Sequence, residues 1–152
     1  MNPELLSRMQ FALNIMFHYI FPPLSIGLGL ILVIMEGIYM KTKNPLYRKM
    51  AKFWTRIFAL TFSLGVATGL AMMFAFGTNW ARLSHFMGDV FGSIVGAEGL
   101  FAFTAEAGFL ALLLFGWDKI SDRMHFLSTI IVCVAAHFSA FWIVIANSLM
   151  PT

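Results

Sequence analysis

The chain has 152 residues, of which 60% are hydrophobic and 11% charged, with a mean hydropathy of +0.83. These values exclude an ordinary soluble globular domain and point to a polytopic membrane protein. The formal charge of +3 makes no case for nucleic-acid binding, because the cations gather in one short segment where they serve orientation; the single Cys133, in an apolar run, offers neither a disulfide nor a metal cluster and reads as a packed apolar cysteine.

The opening MNPELLSRMQ lacks the cationic start and small-residue cleavage site of a signal peptide, so the first hydrophobic segment is expected to stay in the mature chain. Four hydrophobic runs follow, at residues 10–39, 53–76, 93–117 and 126–150. Each reaches the roughly 20 residues that a bilayer core requires. None alternates like a strand, and lipid offers no water to satisfy a broken backbone. The expected fold is therefore an all-α membrane protein with four transmembrane helices, residues 1–152 forming a single transmembrane helical domain. Between the first two runs, KTKNPLYRKMAK holds Lys41, Lys43, Arg48, Lys49 and Lys52 without an acid, and the positive-inside rule places this loop in the cytoplasm. The N-terminus and the C-terminal end then both lie on the outer, periplasmic face.

In the first run, His18 stands in NIMFHYIFPPLSIG. Pro22 and Pro23 cannot donate to the carbonyls of His18 and Tyr19, which predicts a kink there. A histidine at a kink on an aromatic-rich helix suits an axial haem ligand, and equally a histidine bonded to a neighbouring helix. Arg8, just outside this helix, suits either a haem propionate or lipid headgroups. In the second run, Gly65 and Gly69 form a small-xxx-small pattern that favours close helix packing, and Met72 and Met73 read as apolar filler. The connection GTNWARLSHFMGDVFG reads as an interfacial amphipathic segment.

The third run, GSIVGAEGLFAFTAEAGFLALLLFGW, carries Glu98 and Glu106 inside its apolar length. Each carboxyl at bilayer depth costs roughly 2.5–3.5 kcal/mol, so the pair calls for a purpose: either protonated groups bonding a neighbouring helix, or proton carriers. Eight positions separate them by about 12 Å along a helix and roughly 80° around it, a relay spacing rather than a bonded pair. The fourth run holds His137, Ser139 and Asn147. Ser139 lies near the depth of Glu106 and either extends a carboxylate path or bonds back to the carbonyl of residue 135. No role is assigned to His137. His125, at the inner mouth, either receives protons from the cytoplasm or is a solvated loop histidine.

Taken in order, SRMQFALNIMFHYIFPPLSIG, KFWTRIFALTFSLGVATGL, FGTNW, SHFMGDVFG, AEGLFAF with the following Glu106, FGWD and SAFWIVIAN resemble the N-terminal part of subunit I of the cytochrome bd family of terminal quinol oxidases. The resemblance spans essentially the whole chain. It implies a haem-containing enzyme of the bacterial cytoplasmic (inner) membrane that oxidises ubiquinol or menaquinol, reduces dioxygen to water and takes protons from the cytoplasm. It further implies haem d and haem b as cofactors. The implied partners are oxidase subunit II, a small accessory subunit, quinol, dioxygen and membrane lipid. By the same resemblance His18 matches the axial iron ligand of one of the two high-spin haems, and Glu98 the acid beside haem d. Glu106 with Ser139 matches the proton path, and Arg8 and Asn147 match polar residues near that haem site. The low-spin haem b ligands would lie beyond Thr152, so the chain looks like a fragment that should not turn over alone. Where the family has an acid and an amide before FGTNW, this chain has Met73 and Ala75, which implies a divergent branch. The alternative reading is a non-catalytic membrane scaffold or transporter-like helical protein that lacks the full cofactor set.

Overall fold

Two asparagines decide where helices begin. In the computed structural model, which describes residues 2–88 and 104–148 and, between them, Gly92 and Gly96, the Asn2 side chain accepts the Glu4 N–H at 3.0 Å and Pro3 takes the first helical position. Helix α1 (Pro3–His18) therefore starts well before residue 10, where the apolar run begins, because a cap and a proline fix its start. Tyr19 and Ile20 break the helix before α2 (Phe21–Thr42), as expected from the missing N–H groups of Pro22 and Pro23. At the far end Lys43 adopts a left-handed conformation, φ 53°, and its N–H donates to the Tyr39 carbonyl at 2.8 Å. Asn44 then caps Leu46 at 2.9 Å, and Pro45 opens α3 (Pro45–Asn79).

The loop expected over residues 41–52 is thus only Lys43 and Asn44, and Arg48, Lys49 and Lys52 ride on α3. A helix leaving lipid needs no apolar residues to continue, only an end cap. With 35 residues, α3 is about 52 Å long, well over the roughly 30 Å of a bilayer core. A short α4 (Ala81–Met87) falls within the segment read as amphipathic, and α5 (Thr104–Phe115) is the described part of the span expected over 93–117. Helix α6 (Asp122–Ser148) starts before residue 126, with the Ser121 hydroxyl accepting the Met124 N–H at 3.3 Å. Three stretches are long and apolar enough to cross a membrane, Pro3–Thr42, Pro45–Asn79 and Asp122–Ile145, and Glu106–Phe115 is a shorter apolar helix among the described residues.

Helix α2 is the hub, packing on both α3 and α6, while α5 lies on α6 and α1 on α3. Leu28, Leu32 and Met35 of α2 meet Ala51 and Phe58 of α3, Leu110 and Leu113 of α5, Trp117, and Val132 of α6. Gly29 lies against α6, where a Cβ would meet Cys133 at an ordinary contact distance of 3.7 Å, and Cys133 is a buried cysteine as expected. The hydroxyls of Thr55, Thr61, Ser63, Thr68 and Thr78 along α3 each donate to the carbonyl four residues back, which satisfies them where water is absent. Large apolar side chains such as Phe74, Phe115 and Val144 stand exposed on the outside, a surface suited to lipid.

A polar clasp closes the lysine-bearing end. Arg48 donates to the Trp117 carbonyl at 2.6 Å and to Asp118 at 2.8 Å, and Lys52 reaches the same carboxylate at 3.3 Å. Asp122 accepts from Lys43 at 3.0 Å and from the Tyr39 hydroxyl at 3.1 Å.

Candidate functional site

His18 is the last residue of α1 and is half-buried against α3. Gly69 makes room for its ring: a Cβ there would lie 3.2 Å from His18 Cε1. The small-xxx-small pattern thus accommodates an imidazole at Gly69, while at Gly65 a Cβ would lie 3.3 Å from the Phe21 Cβ. His18 Nδ1 lies 2.9 Å from the Thr68 hydroxyl oxygen. That hydroxyl already donates to the Leu64 carbonyl at 2.7 Å, with the Gly65 carbonyl 3.1 Å away, so its oxygen is left to accept. The proton of a neutral His18 is therefore on Nδ1, and the lone pair is on Nε2. Among the described residues no hydrogen bond engages Nε2.

This donor set tests what metal group could fit. Among the described residues no three or more His, Cys, Asp or Glu side chains gather to cage an ion. A single imidazole with its tautomer fixed by a neighbour fits a haem, whose macrocycle would bring its own nitrogen donors to the iron.

The remaining expected residues are placed as follows. Arg8 lies in the second turn of α1 rather than outside it, exposed, and bonds Glu4 at 2.6 Å one turn away. Glu106 is in the first turn of α5, half-buried, on the stripe that continues through the buried Leu110, Leu113 and Trp117. Ser139 is half-buried on α6, the helix against which α5 packs, and neither Glu106 nor Ser139 lacks a partner. Asn147 is exposed in the last turn of α6. Glu98 lies outside the described residues. His137 is spent on its own helix, Nδ1–H donating to the Cys133 carbonyl at 2.7 Å. The FGTNW segment is tied back to α1: Asn79 donates to the Ser7 carbonyl at 3.3 Å, and Phe11 packs edge-on to Phe76 and Trp80 at 5.0 and 5.6 Å.

One cluster escaped the sequence reading. Glu36, His125 and Thr129 are each 3% exposed or less. Glu36 faces His125 Nδ1 at 3.0 Å and accepts from the Thr129 hydroxyl at 2.9 Å, and His125 Nε2–H donates to the Leu113 carbonyl at 3.1 Å. His125 is thus a core residue of α6, not a solvated loop histidine; the earlier helix start at Asp122 carries it inside. Glu36 interrupts an apolar run as Glu98 and Glu106 do, and that same signal could have found it.

The profile of the family described as cytochrome bd terminal oxidase subunit I matches residues 6–152. The chain is 46% identical over 145 residues to cytochrome bd-II ubiquinol oxidase subunit 1 of Escherichia coli (strain K12), covering 95% of this chain and 28% of that protein. It is 45% identical over 150 residues to cytochrome bd ubiquinol oxidase subunit 1 of Bacillus subtilis (strain 168), covering 99% and 32%. Among solved structures, the bd oxidase from Geobacillus thermodenitrificans superposes with a TM-score of 0.90 at 30% identity, over 99% of this chain and 35% of that one. The chain therefore spans about three-tenths of the length of the curated relatives it matches. With the profile matched over nearly the whole chain, the protein belongs to the cytochrome bd terminal oxidase subunit I family.

Proposed function

We propose that this chain is the haem-ligating, proton-delivering part of a terminal quinol oxidase subunit of the bacterial inner membrane. In this reading four spans cross the bilayer with the lysine-bearing turn in the cytoplasm. The whole complex, with subunit II and a small accessory subunit, oxidises ubiquinol or menaquinol and reduces dioxygen to water. The observation that carries the reading is His18, whose Nδ1–H is committed to Thr68 at 2.9 Å so that Nε2 is left to hold iron.

A bound haem, either haem d or a high-spin haem b, supplies one-electron chemistry and an iron site for dioxygen. The protein's own part is positioning and proton supply. Thr68 and Gly69 fix the His18 ring, one by its hydroxyl and the other by its missing side chain. Glu106 and Ser139, on packed helices α5 and α6, hold and pass protons from the cytoplasmic side, and Glu98 receives them near the oxygen-reducing haem. Arg8 and Asn147, both at outer helix ends in this topology, supply polar contacts to the haem periphery.

The test is His18→Ala in the complete oxidase. One high-spin haem should be lost from the visible spectrum and from the extracted haem content; a spectrum and content equal to wild type would reject the assignment.

A further inference from the structure

We propose that Glu36 and His125 form a proton-holding site that feeds Glu106 from the lysine-bearing end of the bundle. The proposal rests on the reading that Glu106 carries protons for oxygen reduction.

The hydrogen bonds count the protons. His125 Nε2 faces the Leu113 carbonyl, which can only accept, so Nε2 carries hydrogen. The Thr129 hydroxyl lies 2.9 Å from Glu36 Oε1 and 3.2 Å from the His125 carbonyl, its two acceptors, and Oε2 faces His125 Nδ1 at 3.0 Å with one proton between them. The pair is neutral overall, whether as imidazolium with carboxylate or as imidazole with carboxylic acid. Passing the proton along that bond interconverts the two forms without moving a heavy atom. Were the proton lost, a carboxylate would face an imidazole lone pair in a site where both side chains are only 4% exposed. Loss of the proton is therefore unfavourable unless another replaces it.

A route for refilling is present. A cleft of about 10 Å³, room for one water, is lined by Glu36, Tyr39, Met40, Trp117, Asp122 and His125. Asp122 is 37% exposed at the side chain and marks the aqueous end. The charged and titratable groups facing the pair are Asp122 of α6, Tyr39 of α2, Lys43 bonded to Asp122, and Arg48 of α3, which lies over the Trp117 ring at 5.8 Å. From α5 only the Leu113 carbonyl is bonded to the pair among the described residues. On that helix Glu106 precedes Leu113 by two turns on the same stripe, about 10 Å further into the membrane. When the shared proton leaves towards Glu106, one from the aqueous side replaces it by way of a water admitted to the cleft, and only O–H and N–H bonds form or break.

The experiment is Glu36→Gln in the complete oxidase, with oxygen consumption, proton uptake and haem content read across pH. Glutamine keeps an acceptor for Thr129 and a donor for His125 Nδ1 but cannot exchange the proton. Turnover should fall by about 100-fold with the haem content unchanged. Thr129→Val removes the hydroxyl 2.9 Å from Glu36 Oε1, and should slow proton uptake and turnover together at unchanged haem content. If the glutamine variant fails to assemble, the valine variant decides alone. Wild-type turnover and pH profile in the assembled variants would show a structural bolt and overturn the proposal. A wild-type complex that lacks haem or oxygen reduction would instead defeat the oxidase reading itself.

Discussion

Replacing Thr68 by valine isolates the one contact that orients His18. Valine matches threonine in shape, so no cavity opens and the Gly69 contact is kept; what disappears is the acceptor 2.9 Å from His18 Nδ1. The net worth of such a bond is about 0.5–1.5 kcal/mol. Loss of an outer partner of a metal-bound histidine typically weakens metal affinity by 10–100-fold, equivalent to about 1.4–2.8 kcal/mol. The low end is expected, about tenfold, because the Thr68 hydroxyl is an uncharged acceptor and the His18 ring is only half-buried. The assay is haem retention in the purified complete oxidase during detergent washing, together with the iron–histidine stretching frequency by resonance Raman. Thr68→Val should lose haem faster and lower that frequency, while Thr68→Ser, which keeps the hydroxyl, should match wild type. Equal retention and frequency in all three proteins would refute the tautomer argument.

Two further predictions concern the ends of α5 and the clasp. Gly116 N–H donates to the Leu112 carbonyl at 2.8 Å, and a Cβ on Gly116 would run into that same oxygen and lie 3.0 Å from Ile120. Gly116→Ala should therefore destabilise the fold by about 1–3 kcal/mol, read as a lower thermal midpoint in detergent; an unchanged midpoint would contradict this. The Asp118 carboxyl is held below its usual range by hydrogen bonds from Arg48 and then Lys52. Because the folded value is the lower one, the unfolded chain binds the extra proton first as pH falls. The clasp's contribution is thus complete above the ordinary aspartate value of about 4 and fades as pH drops through the lowered one. Asp118→Asn should reduce that acid-side slope in thermal stability, leaving the part that Asp122 contributes through Lys43, and high salt should weaken it in the wild type, since the group is exposed. A slope unaffected by the substitution would assign it to other carboxyls.

Much of the architecture was legible without coordinates. Pro22 and Pro23 announced the break after His18, the glycine pair at 65 and 69 announced a close approach, and Cys133 in an apolar run announced a buried thiol. The helix ends were misjudged because apolar runs report where lipid is, whereas Asn2, Asn44 and Ser121 report where the backbone donors are satisfied. Caps carried that information in plain view, as did Glu36, an acid inside an apolar run.

What the amino-acid order determined by itself was the solvent: a chain this apolar must satisfy its backbone internally, so it is helical, and its prolines and glycines dictate where the helices bend and touch. Which side chains meet was decided only in three dimensions. Helices apolar on nearly every face carry no periodic stripe to mark the buried one. Glu36 therefore finds His125 and Thr129, 89 and 93 residues away, and His18 finds Thr68 fifty residues on, only because α2, α3 and α6 pack as they do. Burial then forces each of these polar groups to take a partner, and that pairing fixes which nitrogen of each ring holds the proton.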